Sequence, residues 1–150
     1  MKKRILLIIT ILIAAFIFIH SSIPAVDSTV ESDAAFGVLD RLTALLNLPN
    51  LFNAITIRKL AHFAEFAVFG FFLSATVRSY GGSFTRELFK ILFFLLAVPV
   101  TDETIQFFPE GRSAQVSDVL LDFSGAVFGF LCLALLWAIV TKIHNHNKES

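Results

Sequence analysis

Four apolar runs, at 5–23, 60–77, 91–108 and 119–140, divide the chain, and polar residues gather between them. Each run is long enough, or nearly so, to cross about 30 Å of hydrocarbon as a helix. The pattern predicts an all-α protein, an integral membrane bundle of four transmembrane helices. Between the first two runs Phe36, Leu39, Leu42, Leu45 and Leu46 recur at helical spacing, with Asp40 and Arg41 on another face. That segment is too short and too charged to span, so it is expected to lie on the outer leaflet as an interfacial helix, breaking around Leu48-Pro49-Asn50. Gly81-Gly82 turns the chain after the second run, with Ser83 or Thr85 as a cap for the third helix and Ser117 or Asp118 for the fourth.

Composition agrees with a membrane protein. The chain is 56% hydrophobic and 16% charged, with 18 Phe, whereas soluble domains carry about 25% charge. A soluble globular enzyme, a disordered tail and a disulfide-built secreted fold are excluded. Lys plus Arg and Asp plus Glu both number 12, so there is no global field to gather nucleic acid, and no nucleic-acid role is expected. Cys132 has no intrachain partner and belongs to packing. Lys2-Lys3-Arg4 ahead of the first run resembles the start of a signal peptide, but the run is long for one and no small-x-small cleavage site follows. A retained span is expected.

Charge sets the orientation. Lys2, Lys3, Arg4, Arg78, Arg86, Lys90, Lys142 and Lys148 fall on one side of the spans, and Arg41, Arg58, Lys59 and Arg112 on the other. The positive-inside rule then places both termini and the 78–90 loop in the cytoplasm.

Ionisable groups inside spans are costly, and here they are not scattered. His62 and Glu65 begin the second span, Thr101, Asp102, Glu103 and Gln106 end the third, and Asp118 and Asp122 begin the fourth. All lie toward the outer face in this topology. On a helix His62 and Glu65 sit about 60° apart, and Asp102 with Gln106, or Asp118 with Asp122, about 40° apart, so each helix offers a polar stripe. Pro99 tends to bend the third helix beside its acidic end, and the 109–113 turn carries Arg112 over the cluster. Gly125 and Gly129 allow a neighbouring helix to approach the fourth closely.

Taken singly, Asp118 is a helix cap, Arg112 a solvated charge and Gln106 an interhelical hydrogen bonder. Together, five carboxylates with His62, Arg58, Lys59 and Arg112 as counter-charges point to a functional site rather than scaffolding. His62 and Glu65 with carboxylates from other helices would also suit a metal. No second His lies within the spans, since His20 ends the first, so zinc is weaker than a hard divalent cation; a cofactor is not required.

The set His62-Phe63-Ala64-Glu65-Phe66, Thr101-Asp102-Glu103-Thr104-Ile105-Gln106, Gly111-Arg112-Ser113 and Ser117-Asp118-Val119, with Lys59, Asp122, Ser21-Ser22-x-Pro24 and Gly125 to Gly129, resembles the signature of the VanZ-like family over nearly the whole chain. Asp122 stands where that pattern often has Asn. The resemblance implies a single VanZ-like membrane domain over 1–150 in a bacterial cytoplasmic membrane. Some members are associated with reduced susceptibility to teicoplanin.

The leading functional expectation is an outward-facing pocket of Lys59, His62, Glu65, Asp102, Glu103, Gln106, Arg112, Asp118 and Asp122. It would bind a membrane lipid headgroup or a lipid-linked cell-wall precursor. One alternative is a membrane-embedded enzyme on a lipid-linked substrate, with His62 as acid or base tuned by Glu65 and with Asp102 and Glu103 holding water or a metal. Another is an ion or proton relay, against which stands the lack of charge through the inner halves of the spans.

Overall fold

The computed structural model describes residues 2–23, 37, 54–109 and 114–149. These form four helices: α1 (Lys2–Ser21), α2 (Ala54–Ser79), α3 (Phe84–Gln106) and α4 (Val116–Glu149). No strand occurs among the described residues. The expected interfacial helix at 36–46 and the turn carrying Arg112 lie outside them, apart from residues 37 and 109.

The packing is inverted relative to a soluble domain. Ile8, Leu12, Ile19, Phe93, Leu131 and Leu135 are among many large apolar side chains that point outward, far more than a soluble monomer presents to water. The buried apolar core is small, with Ile17 from α1, Phe66 and Phe69 from α2, Ile91 and Leu95 from α3, and Ala126 and Phe130 from α4. Three helices, α1, α2 from Thr56 and α4, are long and apolar enough to cross a membrane. The expectation of four such spans is met only in part, for a physical reason. Arg86, Glu87 and Lys90 at one end of α3 and Asp102 and Glu103 at the other leave only 91–101 uncharged, about half of the roughly 20 apolar residues a span needs.

The helices alternate in direction, and α2 against α4 is the most extensive contact. Glycine makes it possible. A Cβ at Gly129 would collide with the backbone carbonyl of Ala67, one at Gly125 with that of Phe63, and one at Gly70 with that of Ala126. The two backbones thus touch along a seam to which both contribute glycine, as the small-residue pattern in α4 predicts. Helix α1 lies against α2 and α3, and α3 also contacts α4.

Gly81, at φ 86°, makes the expected turn between α2 and α3. Ser83 occupies the N-cap of α3 without a side-chain cap bond. Helix α4 starts before the expected caps, so Ser117 and Asp118 sit within its first turn, with Gln115 ahead of it accepting from the Asp118 amide at 3.0 Å. Helix α3 runs unbroken through Pro99. Toward the end where α1 begins and α2 finishes, the Arg78 guanidinium lies over the Trp137 ring at 4.3 Å and Lys3 over Tyr80 at 5.3 Å.

Thr10 of α1 and Thr76 of α2, both buried, join hydroxyls at 2.8 Å. The Thr10 hydroxyl also donates to the Leu6 carbonyl at 2.9 Å, which makes Thr76 the donor across the helices. Bonds of this kind between spans contribute on the order of 1 kcal/mol. Thr76→Val should lower unfolding stability in micelles by about that amount, and Thr10→Val combined with it should add little, since the two changes remove one shared bond.

Candidate functional site

At the other end of the bundle, the C-termini of α1 and α3 meet the N-termini of α2 and α4. The periodicity of each helix sets what it presents there. On α2, His62 and Phe66 share a face at i,i+4; on α4, Asp122 and Ala126 do the same. Phe66 and Ala126 belong to the apolar core, so His62 and Asp122 stand one turn from it on the same sides. From α3, Asp102 and Gln106 face inward.

His62, Asp102 and Asp122 converge. Each brings one potential ligand atom, an imidazole nitrogen or a carboxylate oxygen, and the three atoms lie within 4.8 Å of one another. All three residues are buried, Asp102 and Asp122 almost completely at 0% and 1% exposure. The Gln106 amide donates to Asp102 Oδ2 at 2.8 Å and to Ser21 Oγ at 3.3 Å, tying α3 to the end of α1. Asp122 Oδ1, Glu103 Oε2 and Glu65 Oε2 are buried atoms with no hydrogen-bond partner among the described residues.

Around this centre the remaining predicted residues take different places. Glu103 is buried and accepts from the Gln115 backbone amide, joining the end of α3 to the start of α4. Glu65 reaches toward the end of α1. Its Oε1 lies 3.4 Å from His20 Nδ1, and His20 in turn stacks on His62 with ring centroids 6.1 Å apart. Lys59 and Asp118 pair with each other at 2.7 Å on the partly exposed rim. Asp118 in the first turn of α4 also suits the positive end of that helix. Thr101, although adjacent to Asp102 in sequence, is exposed and donates to the Ala97 carbonyl at 2.8 Å. Arg112 lies outside the described residues.

The second imidazole is the main addition to what the sequence indicates. His20 closes α1 just before Ser21, and both reach the cluster. The charge-based topology already puts the end of the first span at the same face as His62; that shared end is the signal for it.

Beside the polar centre, between the end of α3 and the start of α4, lies an open groove of about 310 Å³. Its lining is mostly apolar, with Val100, Phe107, Phe108, Val116 and Val119, and Glu103 is its acidic member. Carboxylates and imidazoles gathered in this way can accept hydrogen bonds from hydroxyl or amine groups, hold a cation, or hold a proton. The neighbouring groove, by contrast, suits an apolar chain.

No curated protein and no solved structure matches the chain. A family profile does, VanZ/LLP1, over residues 6–137, a stretch that contains every residue of the polar cluster. A match over so much of the length settles the assignment: the chain belongs to the VanZ/LLP1 family.

Proposed function

We propose that the polar end of the bundle faces outward from a bacterial cytoplasmic membrane and binds the headgroup of a membrane lipid or lipid-linked cell-wall precursor, thereby lowering teicoplanin susceptibility. In this reading α3 spans with the other helices, its acidic end sheltered by α1, α2 and α4, and both termini are cytoplasmic. The observation that carries it is the convergence of His62, Asp102 and Asp122 from three helices, buried beside an apolar groove. Polar side chains at that depth orient a ligand's polar part, and the groove accommodates an acyl chain. Arg58 and Arg112 supply the positive charge for a phosphate or carboxylate, joined by Lys59 where a ligand displaces its Asp118 partner, and Glu65 and Glu103 accept from sugar hydroxyls or amines.

The test is susceptibility in cells expressing the protein. Glu65→Ala and Arg112→Ala, each made at wild-type level, should return teicoplanin susceptibility to that of cells without the protein. Protection that survives both changes would end this reading. Lipid extracts from the same cells separate binding from catalysis. Unchanged precursor species accord with binding, whereas a new or missing species that depends on His62 would replace it with an enzymatic role.

A further inference from the structure

We propose that His62, Asp102 and Asp122 form a binding site for a divalent cation of the Zn²⁺ or Mn²⁺ class. The site stands whether or not the outer end receives a headgroup.

The donor set comes from three separate helices and is already gathered. Metal–ligand bonds of about 2.0–2.2 Å put neighbouring donors roughly 3–4 Å apart around one ion. The three donor atoms here lie within 4.8 Å of one another, so small side-chain rotations close the shell without moving a helix. Asp122 is 1% exposed, and its Oδ1 has no hydrogen-bond partner among the described residues. A carboxylate oxygen sequestered in that way is costly unless positive charge meets it. Two carboxylates balance a divalent charge, with the imidazole neutral. The Gln106 amide, donating to Asp102 Oδ2 at 2.8 Å and reaching Ser21, holds that carboxylate in place, as outer partners do at metal sites.

The chemistry of the donors selects the ion. An imidazole disfavours Ca²⁺ and Mg²⁺, which take oxygen ligands almost exclusively. No thiolate is at hand, Cys132 being exposed farther along α4, so soft cations gain nothing. A mixed nitrogen and oxygen set of three suits Zn²⁺ or Mn²⁺ and leaves coordination positions for water or for an anionic ligand.

Full-length protein in detergent, stripped with chelator, would be dialysed against Zn²⁺ or Mn²⁺ and its metal content measured alongside its melting temperature. The wild type should retain about one ion per chain and melt higher with the ion than without. Asp122→Asn and His62→Gln should fall to background content and lose the ion-dependent rise. Glu87→Gln, paired with Lys90 at the opposite end of α3, should keep both. Wild-type protein that retains neither ion above background overturns the proposal, whatever the variants do. Retention undiminished in both Asp122→Asn and His62→Gln overturns it as well.

Discussion

Gly129→Ala is expected to destabilise the folded bundle by about 2–3 kcal/mol, although the same change in an unpacked helix stabilises it. Alanine exceeds glycine in helix propensity by roughly 1 kcal/mol, so propensity alone gives the opposite sign. The difference lies in what the new methyl meets. A Cβ at Gly129 overlaps the carbonyl oxygen of Ala67, a backbone atom within helix α2 that no rotamer change can withdraw. Relief requires α2 and α4 to separate along their whole seam, where Gly70 makes a similarly close approach and Gly125 a slightly longer one. That opening loosens the pairing that brings His62 to Asp122. Denaturant unfolding in mixed micelles, followed through the lone Trp137, gives the measurement. A stabilised Gly129→Ala protein would show that the two backbones do not touch there. Gly81→Ala is the comparison, because Gly81 meets nothing within 4 Å and its cost comes only from its φ of 86°.

That seam was legible in the sequence, as were the helices themselves, because both depend on local composition. Uninterrupted Leu, Ile, Val and Phe set where the helices lie, and the Gly125 to Gly129 spacing marks a face free of side chains. The polar stripes likewise follow from helical geometry within one element: Asp102 and Gln106, about 40° apart around the axis, are hydrogen-bonded at 2.8 Å. Thr101 shows its limit. Residues next to each other on a helix are about 100° apart, so a cluster along the sequence is not one around the axis, and Thr101 faces away.

Pairings across helices were harder to see. His62 and Glu65 share a side of α2, yet Glu65 meets His20, a residue forty-five positions earlier in the chain. Nothing in the spacing within α2 contains that contact, because it depends on how α1 rotates about its own axis. For the same reason Lys59 and Asp118, both expected to serve a pocket, neutralise each other on the rim. The span assignment of α3 was only half visible. Its apolar centre favours crossing and its charged ends oppose it, and nothing local shows that the acidic end is buried among the other helices, as Asp102, Glu103 and Gln106 are.

Phe66→Ala is expected to lower stability by about 3 kcal/mol and to damage the polar cluster as well. Phe66 is fully buried among Ile17, Leu95 and Ala126, one turn along α2 from His62. In a soluble core, truncating phenylalanine costs about 3–5 kcal/mol, part from lost transfer out of water and part from the cavity. Within a membrane the first part shrinks, since the separated helices would show the ring to lipid rather than to water. The cavity and the lost dispersion contacts remain, which places the cost at the lower end of that range. The void would open one turn along α2 from His62 and in the core that Ala126 shares one turn from Asp122, where nearby polar groups allow water to enter. Phe66→Leu retains most of the volume and should cost less than about 1.5 kcal/mol. The two variants therefore separate filling from aromatic character. If Phe66→Ala unfolds with wild-type stability, the small apolar core does not support the polar end, and the convergence of His62, Asp102 and Asp122 must be held by the α2–α4 seam and the Gln106 bonds alone.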